Sequence, residues 1–148
     1  AETIALIPGT YAELNRKWKA GDQIELVLPM EAQLLESNPL VEENRNQVAV
    51  KRGPVVYCLE SPDLPGKRIF NVLIPSNVSL KANPIQIDGA DMMSLDGNAQ
   101  ILENKDWKNV LYRPINKSNV ITPIRLVPYF AWGNRGHSEM SVWLPVSR

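Results

Sequence analysis

The chain has 148 residues, 44% of them apolar and 22% charged, and its sixteen basic and sixteen acidic side chains leave no net charge. That length supports one domain, or two small ones sharing strands, with a core of useful size. Balanced charge without a basic stripe argues against a nucleic-acid binder, and no apolar run approaches the length needed to span a membrane.

In chain order, Thr3 to Ile7 is a short apolar run stopped by Pro8-Gly9 and reads as a strand and turn. Tyr11–Trp18 fits both a strand and a helical template. The Gly21-Asp22 turn and the β pattern beyond it favour the strand. The clearest periodic signal follows: Ile24, Leu26, Leu28, Met30, Ala32 and Leu34 are apolar at successive even positions, with Gln23, Glu25, Glu31 and Gln33 between them. This alternation predicts a long strand with one buried face, and Pro29 predicts an edge position or a bulge.

Ser37-Asn38-Pro39 breaks the run. Gln47–Lys51 and Val55–Glu60 are two short strands on either side of Arg52-Gly53-Pro54, where the chain kinks or changes direction. Lys67 to Leu80 gives two short apolar runs around Pro75. Asp88-Gly89 and Asp96-Gly97 are both favourable hairpin turns. Trp107–Tyr112 and Val120–Tyr129 read as further strands. The segment VPYFAWGNRGHSEMSVWLP, residues 127–145, then reads as a strand ending near Ala131, a polar turn, and a closing strand from Met140 to Leu144. About nine to eleven strands with closely spaced turns and no long helix favour an all-β fold, an antiparallel β-sandwich or jelly roll.

Candidate chemistry is sparse. His137 lies in a glycine-flanked turn beside Glu139, but no nucleophile motif or second ligand accompanies it, and loop structure is the simpler reading. Glu60, Asp63 and Glu139 offer carboxyls for a glycosidase pair, which requires a fixed separation across a sugar that sequence does not provide. Cys58, the only cysteine, excludes an internal disulfide and a multi-thiolate zinc site, and within VVYCLE it reads as a buried, inert thiol. Asn134 and Arg135 are read as tying down their turn by hydrogen bonds to backbone and carboxylate. Trp18, Trp107 and Tyr112 could form an aromatic platform for a sugar ring, although aromatics in an all-β domain more often fill the core. Asn77-Val78-Ser79 and Asn116-Lys117-Ser118 match the glycosylation pattern, which is common by chance. The opening AETIAL has neither an initiator Met nor a signal-peptide pattern, so the chain reads as a piece of something longer.

Three stretches taken together carry a resemblance: RKWKAGDQIELVLPM (residues 16–30), VAVKRGPVVYCLE (48–60) and VPYFAWGNRGHSEMSVW (127–143). In this order and spacing they resemble the C-terminal β-region of glycoside hydrolase family 127, the β-L-arabinofuranosidase-like family. The resemblance implies structural roles for Gly53, Pro54, Tyr57, Tyr129, Trp132, Asn134, Arg135 and Trp143. It implies a separate (α/α)6-barrel catalytic domain as partner, holding a cysteine nucleophile and a zinc site. No catalytic, cofactor or metal residue carries over to any position of this chain, and no cofactor is expected in it. The likeness further implies two lobes sharing strands, residues 1–35 with 138–148 and residues 36–137, which would make Ile24–Leu34 a neighbour of Met140–Leu144. The expected role is a non-catalytic accessory domain of an arabinofuranoside-cleaving hydrolase. The rivals are a carbohydrate-binding module for plant-derived glycans and an oligomerisation domain forming a homodimer.

Overall fold

The computed structural model describes residues 3–102, 109–114 and 119–147. Among them there is no α-helix, only short 3-10 turns and nine strands: β1 (Ala32–Glu36), β2 (Gln47–Arg52), β3 (Val55–Glu60), β4 (Val72–Pro75), β5 (Lys81–Ile87), β6 (Ala90–Leu102), β7 (Asn119–Pro128), β8 (Met140–Ser141) and β9 (Leu144–Ser147). The all-β expectation therefore holds.

The ladders do not delineate the two facing sheets of a sandwich or the paired Greek keys of a jelly roll. They run β2–β9–β4–β6–β7–β3 and return to β2, a closed six-stranded barrel. The physical reason lies in β2 and β3. The two pair only near their shared turn, from Val50↔Tyr57 to Arg52↔Val55, and then separate. Residues 140–147 enter the gap: β8 pairs with Leu59 and Glu60, and β9 pairs with Gln47 and Val48. β9 also runs parallel to β4, which completes the ring. Closure removes the free edges of the six ring strands. β1 and β5 lie off the ring, on β2 and on the first half of β6.

The barrel interior is filled by side chains from alternate strand positions, among them Val48, Val50, Tyr57, Leu59, Val72, Ile74, Leu95, Ile101, Leu126 and Leu144. A second, smaller cluster lies apart from it, with Cys58, Ile87, Val127 and Ala131 buried and Met140 and Val142 packed against them. In β3, Tyr57 and Leu59 belong to the barrel core and Cys58 to the outer cluster, as strand alternation requires. Residues 129–143 thus act as a flap over the outside of β3 and β7.

Several expected elements take other forms. The long strand over Ile24–Leu34 is regular only from Ala32; Ile24, Leu26 and Leu28 are 67%, 60% and 65% exposed. The alternation is real, but no strand among the described residues pairs with residues 22–31, so the segment remains an extended arm. Thr3–Ile7 and Tyr11–Trp18 likewise carry no ladder. β1 pairs with β2, not with Met140–Leu144. Asp88-Gly89 does turn the β5–β6 hairpin, both residues having positive φ. Asp96-Gly97 does not turn; it lies inside the thirteen residues of β6. There glycine is needed for space: an added Cβ would lie 2.8 Å from the Ser79 carbonyl oxygen and 2.9 Å from Leu80 Cδ2. The closing strand is split into β8 and β9, and β7 ends at Pro128, ahead of a 3-10 turn over Tyr129–Ala131. The strand expected over Trp107–Tyr112 lies partly outside the described residues, and Asn109–Tyr112 forms no ladder.

Candidate functional site

The best-built polar cluster joins the flap to the barrel wall. Glu60 ends β3, and its side chain is 0% exposed. Arg135, 75 residues away in sequence, donates through Nε to Glu60 Oε2 at 3.0 Å, and Nη2 donates to the same oxygen. The other side of the guanidinium grips Asp63, with Nη1 to Oδ1 at 3.0 Å and Nη2 to Oδ2 at 2.7 Å. The second Glu60 oxygen accepts from the Gly133 N–H at 3.2 Å and from the Ser138 hydroxyl at 3.1 Å. Positive φ at Gly133 and Gly136 brackets Arg135 in a tight turn and swings the guanidinium back over β3. Ser61 and Glu139 complete the seam through two further hydrogen bonds, from the Ser61 N–H to the Glu139 carbonyl and from the Glu139 N–H to Ser61 Oγ.

Burial pushes the Glu60 carboxyl up, but the Arg135 guanidinium, the Gly133 N–H and the Ser138 hydroxyl outweigh it and hold the group below the ordinary carboxylate range. Hydrogen bonds that the guanidinium donates to Asp63 and Glu60 raise Arg135 against its own partial burial, so it stays charged. A general acid needs a proton near neutral pH and a path to substrate. Glu60 has neither. Glu139 is exposed and contributes backbone groups to the seam, and His137 is exposed on the turn. Of the three carboxyls, Glu60 and Asp63 share one arginine.

The same cluster accounts for Cys58. Burial, then the neighbouring Glu60 charge, push the thiol up to about 12, which makes it inert as a nucleophile. Arg135 ties down its turn as expected, through carboxylates. Asn134 does so through its main chain, its N–H donating to the Ala131 carbonyl. Gly53 turns the β2–β3 hairpin at positive φ beneath Met30, beside the exposed Pro54. Tyr57 is core, and Trp143 is half-buried, its carbonyl accepting from Ser141 Oγ. Tyr129 and Trp132 remain exposed.

Trp18 lies on the arm with the Arg16 guanidinium 5.1 Å from its ring centroid, Tyr112 is almost fully exposed, and Trp107 lies outside the described residues. A second carboxylate–arginine pair escaped the sequence reading: Arg125 on β7 holds Asp96 on β6 through two hydrogen bonds of 2.8 and 2.9 Å. Its signal, residues that face each other across a ladder, appears only once the β6–β7 register is known. No buried side-chain nitrogen or oxygen among the described residues lacks a partner, and none of their His, Cys, Asp and Glu side chains group to hold a metal ion.

A closed barrel whose buried carboxylate holds its own flap defines a small all-β domain. The matching family model is the glycoside hydrolase family 127 C-terminal domain, over residues 32–145, and the chain belongs to that family. Over 130 residues it is 29% identical to a non-reducing end β-L-arabinofuranosidase of Bifidobacterium longum subsp. longum, covering 84% of this chain and 20% of that protein. A solved glycoside hydrolase is 49% identical with a TM-score of 0.87, over 99% of this chain and 24% of that one. The family 127 β-L-arabinofuranosidase of Geobacillus stearothermophilus T6 is 35% identical with a TM-score of 0.74, over 80% of this chain and 19% of that one. The chain thus spans about a fifth to a quarter of the proteins it matches.

Proposed function

We propose that this chain is the non-catalytic accessory domain of an arabinofuranoside-cleaving hydrolase, and that it braces a separate (α/α)6-barrel catalytic domain. The observation that carries this reading is the state of Glu60, Asp63 and Arg135. They are the most deeply built charged groups, and every one is engaged within the domain. An active carboxyl faces substrate; these face one another. The relatives supply the substrate class, being β-L-arabinofuranosidases in which this region is a minor part of the length.

An aryl arabinofuranoside assay of the purified chain, with and without zinc, tests the reading, and no turnover is expected. Turnover abolished by Glu60→Gln or Glu139→Gln would overturn it. A carbohydrate-binding role rests on the exposure of Trp18 and Tyr112. Saturable heat on titration with arabinose-containing oligosaccharides, lost in Trp107→Ala or Tyr112→Ala, would favour that role instead.

A further inference from the structure

The barrel has two unlike ends. At one, β2 and β3 join through the Gly53 turn. At the other, β1 ends at Glu36, β2 begins at Gln47, β4 ends at Pro75 and β9 ends at Ser147, and a groove of about 750 Å³ opens there. That volume lies within the range of small-molecule sites. Ser37, Asn44, Asn46, Gln47 and Ser76 all line it, and among the described residues none of these five side chains is engaged in a hydrogen bond. The flap seam is the opposite case, since Glu60, Asp63 and Arg135 spend their polar atoms within the domain. Backbone bonds fix the rim of the groove. The Val146 N–H donates to the Asn46 carbonyl at 2.9 Å, the Ser76 N–H donates to the Ser147 carbonyl at 3.0 Å, and Gln47 pairs with Pro145. Asn44 closes a 3-10 turn, and Asn46 follows at φ 58°, a left-handed conformation that Asn accepts more readily than most residues.

We infer that this groove is a binding site for a neutral, hydroxyl-rich ligand, a saccharide, recognised by the Asn44, Asn46 and Gln47 amides. The inference goes beyond the accessory reading and does not depend on it. A side-chain amide carries two donors and an acceptor carbonyl, so it can bridge neighbouring hydroxyls of a sugar, which themselves donate and accept. Three such amides on one fixed rim, with two serine hydroxyls, match that chemistry and carry no charge to be neutralised. The charged groups of the lining select against an anion. Arg45 is already paired with Glu42 at 3.0 Å, and Glu36 brings a carboxylate to the same wall. Recognition of a phosphate or carboxylate calls for an uncommitted cation. Leu34 and Val146 supply apolar surface for the C–H face of a ring, and the described lining holds no aromatic side chain. Binding here is therefore led by hydrogen bonds rather than by stacking, and is weak.

NMR titration of the nitrogen-15-labelled chain tests this, with arabinotriose, xylotriose and maltotriose as saccharide probes and inorganic phosphate as the anion. With at least one saccharide, the side-chain NH2 signals of Asn44, Asn46 and Gln47 and the amides of residues 36–37, 76 and 146–147 should shift saturably. Phosphate should leave them in place. Asn44→Ala combined with Asn46→Gly removes two amides while position 46 keeps its left-handed backbone, and should weaken the binding about tenfold. Gln47→Ala is a second variant, expected to weaken it several-fold should the first pair lose its folded spectrum. Trp18→Ala should leave the affinity unchanged. No saturable shift with any of the three saccharides would overturn the site. So would shifts centred on residues 16–18 or 112, which would put the sugar on the exposed aromatics. Saturation by phosphate alone would make the groove an anion site, and an affinity unaltered in the folded variants would show that the amides do not recognise the ligand; each result overturns the proposal. None of these outcomes bears on the accessory reading, which the turnover assay decides separately.

Discussion

Arg135 closes over Glu60 from 75 residues away, and that contact pins the flap of residues 129–143 to the outside of β3. The carboxylate is fully buried while the guanidinium keeps a second partner in Asp63. Removing the charge from Glu60 leaves Arg135 half-matched and strips a charged acceptor from Gly133 and Ser138. Glu60→Gln should therefore cost about 3 kcal/mol, at the low end for a broken buried pair because Asp63 remains. Urea denaturation measures it, and a midpoint unchanged from the parent chain would show that the cluster contributes nothing.

The same carboxylate sets the acid limit of stability. Glu60 and Asp96 both titrate below their ordinary values in the folded chain, held down by Arg135 and its companions and by Arg125 respectively. A depressed folded pKa contributes stability that is present above the unfolded value, about 3.9 for Asp and 4.3 for Glu, and lost as pH falls through the folded value. Stability should then be flat in these terms down to about pH 5 and fall steeply below about pH 4. In Glu60→Gln the acid limb should be shallower. Denaturation midpoints measured across pH 3–7 decide this, and an unaltered limb would assign the acid sensitivity to other groups.

Cys58 should behave as a sealed thiol. It is fully buried under the flap, and burial together with the Glu60 charge pushes it up to about 12. A thiol reagent at pH 8 should label the native chain only through opening, at a rate that rises in denaturant and in Glu60→Gln, where the flap is released. Rapid stoichiometric labelling of the native chain would mean that the flap does not cover β3.

Strand identity was legible where a local signal and a partner coincide. β2 and β3 carry apolar runs around Gly53-Pro54 and form as the two strands read there, and the structure adds that they pair across that turn. The Asp88-Gly89 turn was legible because positive φ at both positions is a local property. Barrel closure was not, since it depends on β8 and β9 entering the gap between β2 and β3, a non-local event that alternation does not encode. The arm shows the converse: Ile24, Leu26 and Leu28 have a strand pattern without a partner strand among the described residues. Of the polar cluster, Arg135 was recognisable from its glycine-flanked turn. Its partners were not, because 72 and 75 residues separate it from Asp63 and Glu60.

Gly97 is where a hairpin signal proved misleading, and it yields the sharpest test of the barrel wall. Asp96-Gly97 has the composition of a two-residue turn, yet Asp96 is committed to Arg125 across the β6–β7 ladder and Gly97 pairs with Ile124. The glycine is required because the chain before β5 crosses close over it, placing the Ser79 carbonyl 2.8 Å from where a Cβ would be. Backbone cannot move aside as a side-chain tip can, so Gly97→Ala should destabilise by about 2 kcal/mol through overpacking. Gly53→Ala meets a different obstacle: the flexible end of Met30 can shift, and the cost is mainly that of holding alanine at positive φ, about 1–2 kcal/mol. Met30→Ala should therefore leave most of the Gly53→Ala penalty in place, while Leu80→Ala should relieve only the side-chain part of the Gly97→Ala penalty. Double-mutant cycles by urea denaturation separate the two cases. Full rescue of Gly97→Ala by Leu80→Ala would show that the Ser79 carbonyl is not the limiting contact.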